Sequence, residues 1–103
     1  MSIEISVLAS GSSGNSILIS GKKRNILVDA GLSGKKVINR VKTCGINESN
    51  LDAILITHEH NDHIKGAGIL SRRLDIPLYA NELTWKEAEP SLGKIKDKNN
   101  VKK

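Results

Sequence analysis

Four short aliphatic runs mark residues 3–56 of the chain: Ile3–Leu8, Ile17–Ile19, Ile26–Val28 and Ala53–Ile56. None is long enough to make a helix, and each is bounded by turn formers, so each reads as a strand. In the first, Ile3, Ile5 and Val7 alternate with Glu4 and Ser6, the period of an extended chain. The turn-forming run Ser10-Gly11-Ser12-Ser13-Gly14-Asn15 separates it from the second, and the polar stretch from Ser20 to Asn25 joins the next two as a hairpin. The run Ala53-Ile54-Leu55-Ile56 is wholly apolar, which suits a strand buried on both sides.

Helical periodicity takes over where the runs stop. Ser33 is placed to cap a helix whose apolar face is Val37, Ile38, Val41 and Cys44, with Lys36, Arg40 and Thr43 outside and Gly45 as its stop. Cys44 is then a small core residue. A second stripe, His63, Ala67, Leu70 and Leu74, ends before Pro77. Pro77-Leu78-Tyr79-Ala80 reads as a brief strand, and Asn81 caps a short helix that stops near Pro90. The order βββαβαβα mixes hairpins with crossover units and gives an α/β or α+β class built on a layered sheet. At 103 residues with 38% hydrophobic and 26% charged, the chain is one small domain or part of a larger one. Phe is absent and there is one Trp and one Tyr, so the core is aliphatic and Trp85 and Tyr79 read as packing residues.

Several function classes fall away. No apolar stretch approaches eighteen residues, which excludes a spanning helix, and no membrane partner is expected. Met1-Ser2-Ile3-Glu4 shows no secretory signal, and a single Cys44 permits no internal disulfide and no cysteine-based zinc cage. Both fit a reducing cytoplasm. The net charge of +5 suggests nucleic acid, but residues 94–103 hold five lysines against Asp97, so four of the five charges sit in a basic tail expected to be disordered. Lys22-Lys23-Arg24 occupies a hairpin turn, where an exposed turn outweighs a DNA phosphate contact.

Chemistry concentrates in one place. All three histidines lie within His58-Glu59-His60-Asn61-Asp62-His63, directly after the buried run and before a helix. Positions 58, 60 and 62 are two apart and point to one side of an extended stretch, while His63 opens the helix and approaches from another direction. Four such ligands can serve two metal ions, and a pair of ions about 3.5–4 Å apart can activate water and clamp a phosphoryl or acyl centre. Imidazole with carboxylate suits zinc first, and also manganese or iron. Glu59 points away and reads as a solvated carboxylate. A zincin helix is excluded because the fifth position from His58 is Asp62, and a zinc deaminase because it needs paired cysteines. The serine- and glycine-rich turn lacks the Gly-Lys-Ser/Thr of a phosphate loop, so a tight turn between strands is favoured there.

His58-x-His60-x-Asp62-His63 after Ala53-Ile54-Leu55-Ile56-Thr57 resembles the signature of the metallo-β-lactamase superfamily. Ser10-Gly11-Ser12-Ser13-Gly14-Asn15-Ser16, Leu27-Val28-Asp29-Ala30-Gly31-Leu32 and Pro77-Leu78-Tyr79-Ala80 resemble its YycJ/WalJ-like group, metal-dependent hydrolases that act on DNA as exonucleases. The resemblance implies two divalent ions, one on His58 and His60 and one on Asp62 and His63, with Asp62 the catalytic carboxylate. It implies that Asp29, with Thr57 and Asn15, supports these ligands from behind. It also implies half of an αββα sandwich, a mixed sheet with helices on one face and a second sheet expected on the other. Family members are about twice this length or more, and the other half brings a further histidine for each ion and a bridging aspartate. After His63 this sequence has no histidine. Residues 1–93 therefore read as the N-terminal half of such an enzyme and 94–103 as its tail. DNA is the implied partner, and the uncovered sheet face expects either the missing half or self-association. Alone, the chain is expected to be inactive. The alternatives are a non-catalytic metal-binding or interaction remnant, or a hydrolase of a lactam, thioester or cyclic nucleotide.

Overall fold

A computed structural model describes residues 3–58, 60–93, 95 and 98–100 of the chain. The strands are β1 (Glu4–Ala9), β2 (Ser16–Ser20), β3 (Asn25–Val28), β4 (Ala53–Leu55), β5 (Leu78–Ala80) and β6 (Lys98–Asn100). The helices are α1 (Gly34–Thr43), α2 (Asn61–Ile64), α3 (Ala67–Leu74) and α4 (Glu82–Leu92). The six strands form one sheet in the order β1-β2-β3-β4-β5-β6. The first three pair antiparallel, as hairpins must, and β3 to β6 pair parallel, each step crossing over through helix.

The register divides the strand residues cleanly between two faces. Leu18 faces Leu27, Leu27 faces Ile54 and Ile54 faces Leu78, and all four are fully buried. With Leu8 they meet Val37, Ile38 and Val41 of α1, Ala67 and Leu70 of α3, and Trp85, Ala88 and Leu92 of α4 in one aliphatic core. The opposite face carries Ile5 and Val7, Ile17 and Ile19, Ile26 and Val28, then Ala53, Leu55 and Tyr79, each beside the next across the sheet. It is apolar yet largely uncovered: Ile5 is 67% and Val7 64% exposed, and the central residues of this face other than Ala53 are half-buried. A run expected to be buried on both sides is thus covered on one, because Leu55 looks out from the open face.

Local chemistry explains most element ends. The Ser33 hydroxyl accepts the Lys36 N–H and starts α1, while Arg40 and Lys42 in the last turn complement its carbonyl end. Asn81 caps α4 by accepting the Thr84 N–H at 2.8 Å. Three expectations need correction. Cys44 is exposed, since α1 ends at Thr43 and the chain swings away at Gly45 with φ of 82°. The stripe from His63 to Leu74 is two helices, broken at Gly66, where a Cβ would collide with the carbonyl oxygen of Leu32 and the N–H is given to Ala30 O at 2.7 Å. Third, α4 runs past Pro90 to Leu92. Proline removes one rung, but Leu92 is buried and its carbonyl accepts from Arg72 Nη1 at 2.7 Å, which holds the last turn.

Within the tail expected to be disordered, residues 98–100 run parallel to β5, a pairing that uses main-chain groups alone and is indifferent to side-chain charge. Glu59 and residues 94, 96, 97 and 101–103 lie outside the described residues.

Candidate metal centre

Three loops converge at the carboxyl ends of β3 and β4, the edge where open α/β sheets gather their ligands. They are the 10–15 turn, the 29–33 segment, and residues 56–58 with His60 leading into α2. Backbone bonds lace them together. Asp29 N–H reaches Leu55 O at 2.7 Å, Ala30 N–H reaches His63 O at 2.8 Å, and Asn15 N–H reaches Asp62 O at 2.7 Å. The loops touch so closely at Gly31 that any Cβ there would strike the Asp62 carbonyl. Glycine is obligatory at that crossing for want of space, not for its dihedral freedom.

Asp29 is the hub. Its backbone sits at φ of 63°, a left-handed conformation that costs most side chains about 1–2 kcal/mol and that aspartate tolerates better than most. The buried hydroxyl of Ser16 donates to the Asp29 carbonyl at 2.8 Å and steadies that turn. The carboxylate is buried and points back at the loop after β4. One oxygen accepts the Thr57 N–H at 2.8 Å. The other accepts the Thr57 hydroxyl at 2.6 Å and lies 2.7 Å from His63 Nδ1.

These contacts fix the protons on two imidazoles. A carboxylate only accepts, so His63 Nδ1 carries the hydrogen, and Nε2 is the atom whose lone pair the neutral ring offers. Thr57 has one hydroxyl proton and gives it to Asp29; its oxygen, 3.0 Å from His58 Nδ1, must then accept. His58 is therefore also an Nδ1–H tautomer with a free Nε2. One carboxylate thus sets the tautomer of both rings, directly in His63 and through Thr57 in His58. Metal-binding histidines need this kind of outer partner.

The rings of His58 and His63 lie 4.7 Å apart, and His60 stands 6.2 Å from His58 with its ring nearly parallel. Asp62 Oδ2 is 3.9 Å from His63 Nε2, a gap that an ion with ligand bonds of about 2.0–2.2 Å can bridge. Asn15 Nδ2 donates to that same Oδ2 at 3.1 Å. Among the described residues, potential ligand atoms of Asp29, His58 and His63 fall within 4.8 Å of one another. Three donors already engage the Asp29 oxygens, the arrangement of a residue that steadies its neighbours. The donor set fits divalent metal: two imidazoles with free Nε2, a third beside them, and a carboxylate facing one of them.

All seven residues singled out from the sequence, His58, His60, Asp62, His63, Asp29, Thr57 and Asn15, therefore meet at one sheet end. Sequence reasoning missed Ser16 and Gly31. A serine after a turn and a glycine after a strand are too common to mark a site, and only the loop crossing shows their part.

The metallo-beta-lactamase superfamily model matches residues 9–101. The chain is 48% identical over 95 residues to "Exodeoxyribonuclease YycJ" of Bacillus anthracis, covering 92% of this chain and 36% of that protein. It is 54% identical over 92 residues to "Exodeoxyribonuclease WalJ" of Streptococcus pneumoniae, covering 87% and 34%. The chain thus spans about a third of the length of these curated relatives. Among solved structures, the Rm3 metallo-beta-lactamase superposes with a TM-score of 0.75 at 25% identity over 89% of this chain and 40% of that one.

Proposed function

Because the chain belongs to the metallo-β-lactamase superfamily, we propose that it is the metal-gripping N-terminal half, residues 1–93 with the tail beyond, of a metal-dependent hydrolase that degrades DNA from an end. The observation that carries the choice of substrate is identity: 48% and 54% to two exodeoxyribonucleases, against 25% to a lactamase of the same fold. The hydrolase chemistry rests on the donor set at the sheet end.

In this reading His58 and His60 hold one divalent ion and Asp62 and His63 the other, with zinc ahead of manganese or iron. When bound, such ions activate water and neutralise charge on a phosphodiester. The residues of the chain do the rest. Asp29 and Thr57 keep the protons of His58 and His63 on Nδ1, so that both Nε2 atoms stay available. Asp62 presents its carboxylate beside His63, and for that reason we assign it the catalytic role. Two protein ligands per ion fall short of the three usual at a catalytic zinc site, so we expect turnover to require ligands from further chain packed on the open sheet face. No helix among the described residues is long and apolar enough to cross a membrane, and we place the protein with its single Cys44 in the reducing cytoplasm.

Complementation tests the proposal. The 103-residue chain is mixed with the C-terminal two-thirds of the Streptococcus pneumoniae relative, supplied with Zn²⁺ or Mn²⁺, and offered end-labelled single- and double-stranded DNA alongside a chromogenic lactam. Stepwise shortening of DNA from an end that is lost with Asp62→Ala supports it. Lactam turnover with intact DNA refutes the substrate, and binding of DNA without cleavage favours an interaction remnant.

A further inference from the structure

We infer that Asn15 is a positioning residue, whose side-chain amide holds the Asp62 carboxylate against the free nitrogen of His63. The inference rests on the proposal that Asp62 and His63 share an ion. Asp62 stands in the first turn of the four-residue α2, with its side chain 31% exposed. An aspartate there has other outlets. It can turn out to water or accept from backbone N–H groups of its own turn, the habit that makes aspartate a frequent cap.

The Asn15 geometry opposes both. Nδ2 carries two protons and lies 3.1 Å from Asp62 Oδ2, 3.2 Å from Asp62 O and 2.9 Å from Gly11 O. The opposite end of the amide, Oδ1, accepts the Gly11 N–H at 3.2 Å, which fixes which way the amide faces. The backbone of Asn15 is equally committed, donating to Asp62 O at 2.7 Å and accepting from Gly31 N–H at 2.9 Å. The amide cannot follow the carboxylate if it wanders. Oδ2 then keeps one lone pair on Asn15 and stays 3.9 Å from His63 Nε2. The turn exists in a form that serves this: Gly11 at φ of 115° and Gly14 at φ of 154° take conformations closed to L side chains and bring the amide inward. A turn needed only to join two strands would not require a side chain aimed at a carboxylate 47 residues away.

A double-mutant cycle on the full chain tests the inference through Zn²⁺ titration calorimetry, with circular dichroism as the check on folding. Asn15→Ala is expected to weaken the Asp62-dependent binding step about 10- to 100-fold and to leave the step lost in His58→Ala/His60→Ala unchanged. In an Asp62→Ala background the same Asn15 change is expected to do nothing further, which a merely structural residue would not show. Asn15→Asp keeps the shape and removes the donor, and is expected to lose at least as much. Zn²⁺ binding that falls with Asp62→Ala but not with Asn15→Ala overturns the positioning role and leaves the metal reading standing. Absence of Zn²⁺ binding, or binding indifferent to Asp62→Ala, overturns the metal reading and this inference with it. Should the Asn15 variants fail to fold, the wild-type chain still decides by ¹⁵N NMR. The Asn15 side-chain NH₂ signals are expected to shift on Zn²⁺ addition, and signals unmoved at saturation refute the role.

Discussion

Replacing Asp29 by Asn changes one oxygen to an NH₂ and is expected to damage metal binding more than folding. Asparagine tolerates the left-handed backbone at this position, so no large strain follows. Its one oxygen can still accept the Thr57 N–H. The NH₂, however, then faces two donors, the Thr57 hydroxyl and His63 Nδ1–H, where an anionic acceptor stood at 2.6 and 2.7 Å. Hydrogen bonds to charged groups contribute about 1.5–3 kcal/mol each. Thr57 is exposed, and its hydroxyl can turn to water, leaving the His63 bond as the main loss and a stability cost of about 2 kcal/mol. In a domain this size that lowers Tm by about 10 °C. His63 recovers a partner by moving its proton to Nε2 and accepting from the new NH₂, but Nε2 is the atom offered to metal. Zn²⁺ affinity should fall about 10- to 100-fold, and His58, tied to the same carboxylate through Thr57, shares in it. Competition against a chromophoric zinc chelator, beside urea melts followed by circular dichroism, reads both quantities. A folded Asp29→Asn variant that binds Zn²⁺ as tightly as the parent would refute the argument that this carboxylate sets the two tautomers.

The open sheet face gives a second prediction. Leaving residues such as Ile5 and Val7 in water forgoes about 1.5–3 kcal/mol each, so the chain should self-associate at tens of micromolar, and Ile17→Lys with Val28→Glu should reduce it; sedimentation showing a clean monomer at high concentration contradicts this. Gly31→Ala should cost about 3 kcal/mol or more, because the new methyl meets the Asp62 carbonyl and the Asn15 backbone nitrogen, and a denaturation midpoint equal to that of the parent would show that the loops separate freely. The unmixed chain should show no nuclease activity with Zn²⁺ or Mn²⁺, and an Asp62-dependent rate from it alone would mean that copies of the chain complete the site together.

Periodicity made the sheet legible, since runs such as Ile17–Ile19 and Ile26–Val28 can be little else, and clustering singled out the residues we propose as metal ligands. What stayed hidden depends on contacts distant in sequence. The break at Gly66 comes from the Leu32 carbonyl, and the persistence of α4 past Pro90 from Arg72 gripping Leu92. Cys44 fits the apolar stripe of α1 by spacing alone, but lies one residue beyond the last helical position. For Asn15 the resemblance implied support of the ligands without saying which one, and its reach to Asp62 became visible only once the two loops crossed.

The strand order has a consequence for how such a chain emerges during synthesis. Every strand pairs with the one before it, from β1 through β6, so no strand must wait for a distant partner. Short loops close quickly and local pairings are the fast ones. All the residues of the proposed metal site, from Asn15 to His63, are already translated when β5 begins. The site can therefore take shape on the ribosome, with Asp29 awaiting the Thr57–His63 segment about thirty residues later, while the chain that follows is still being made.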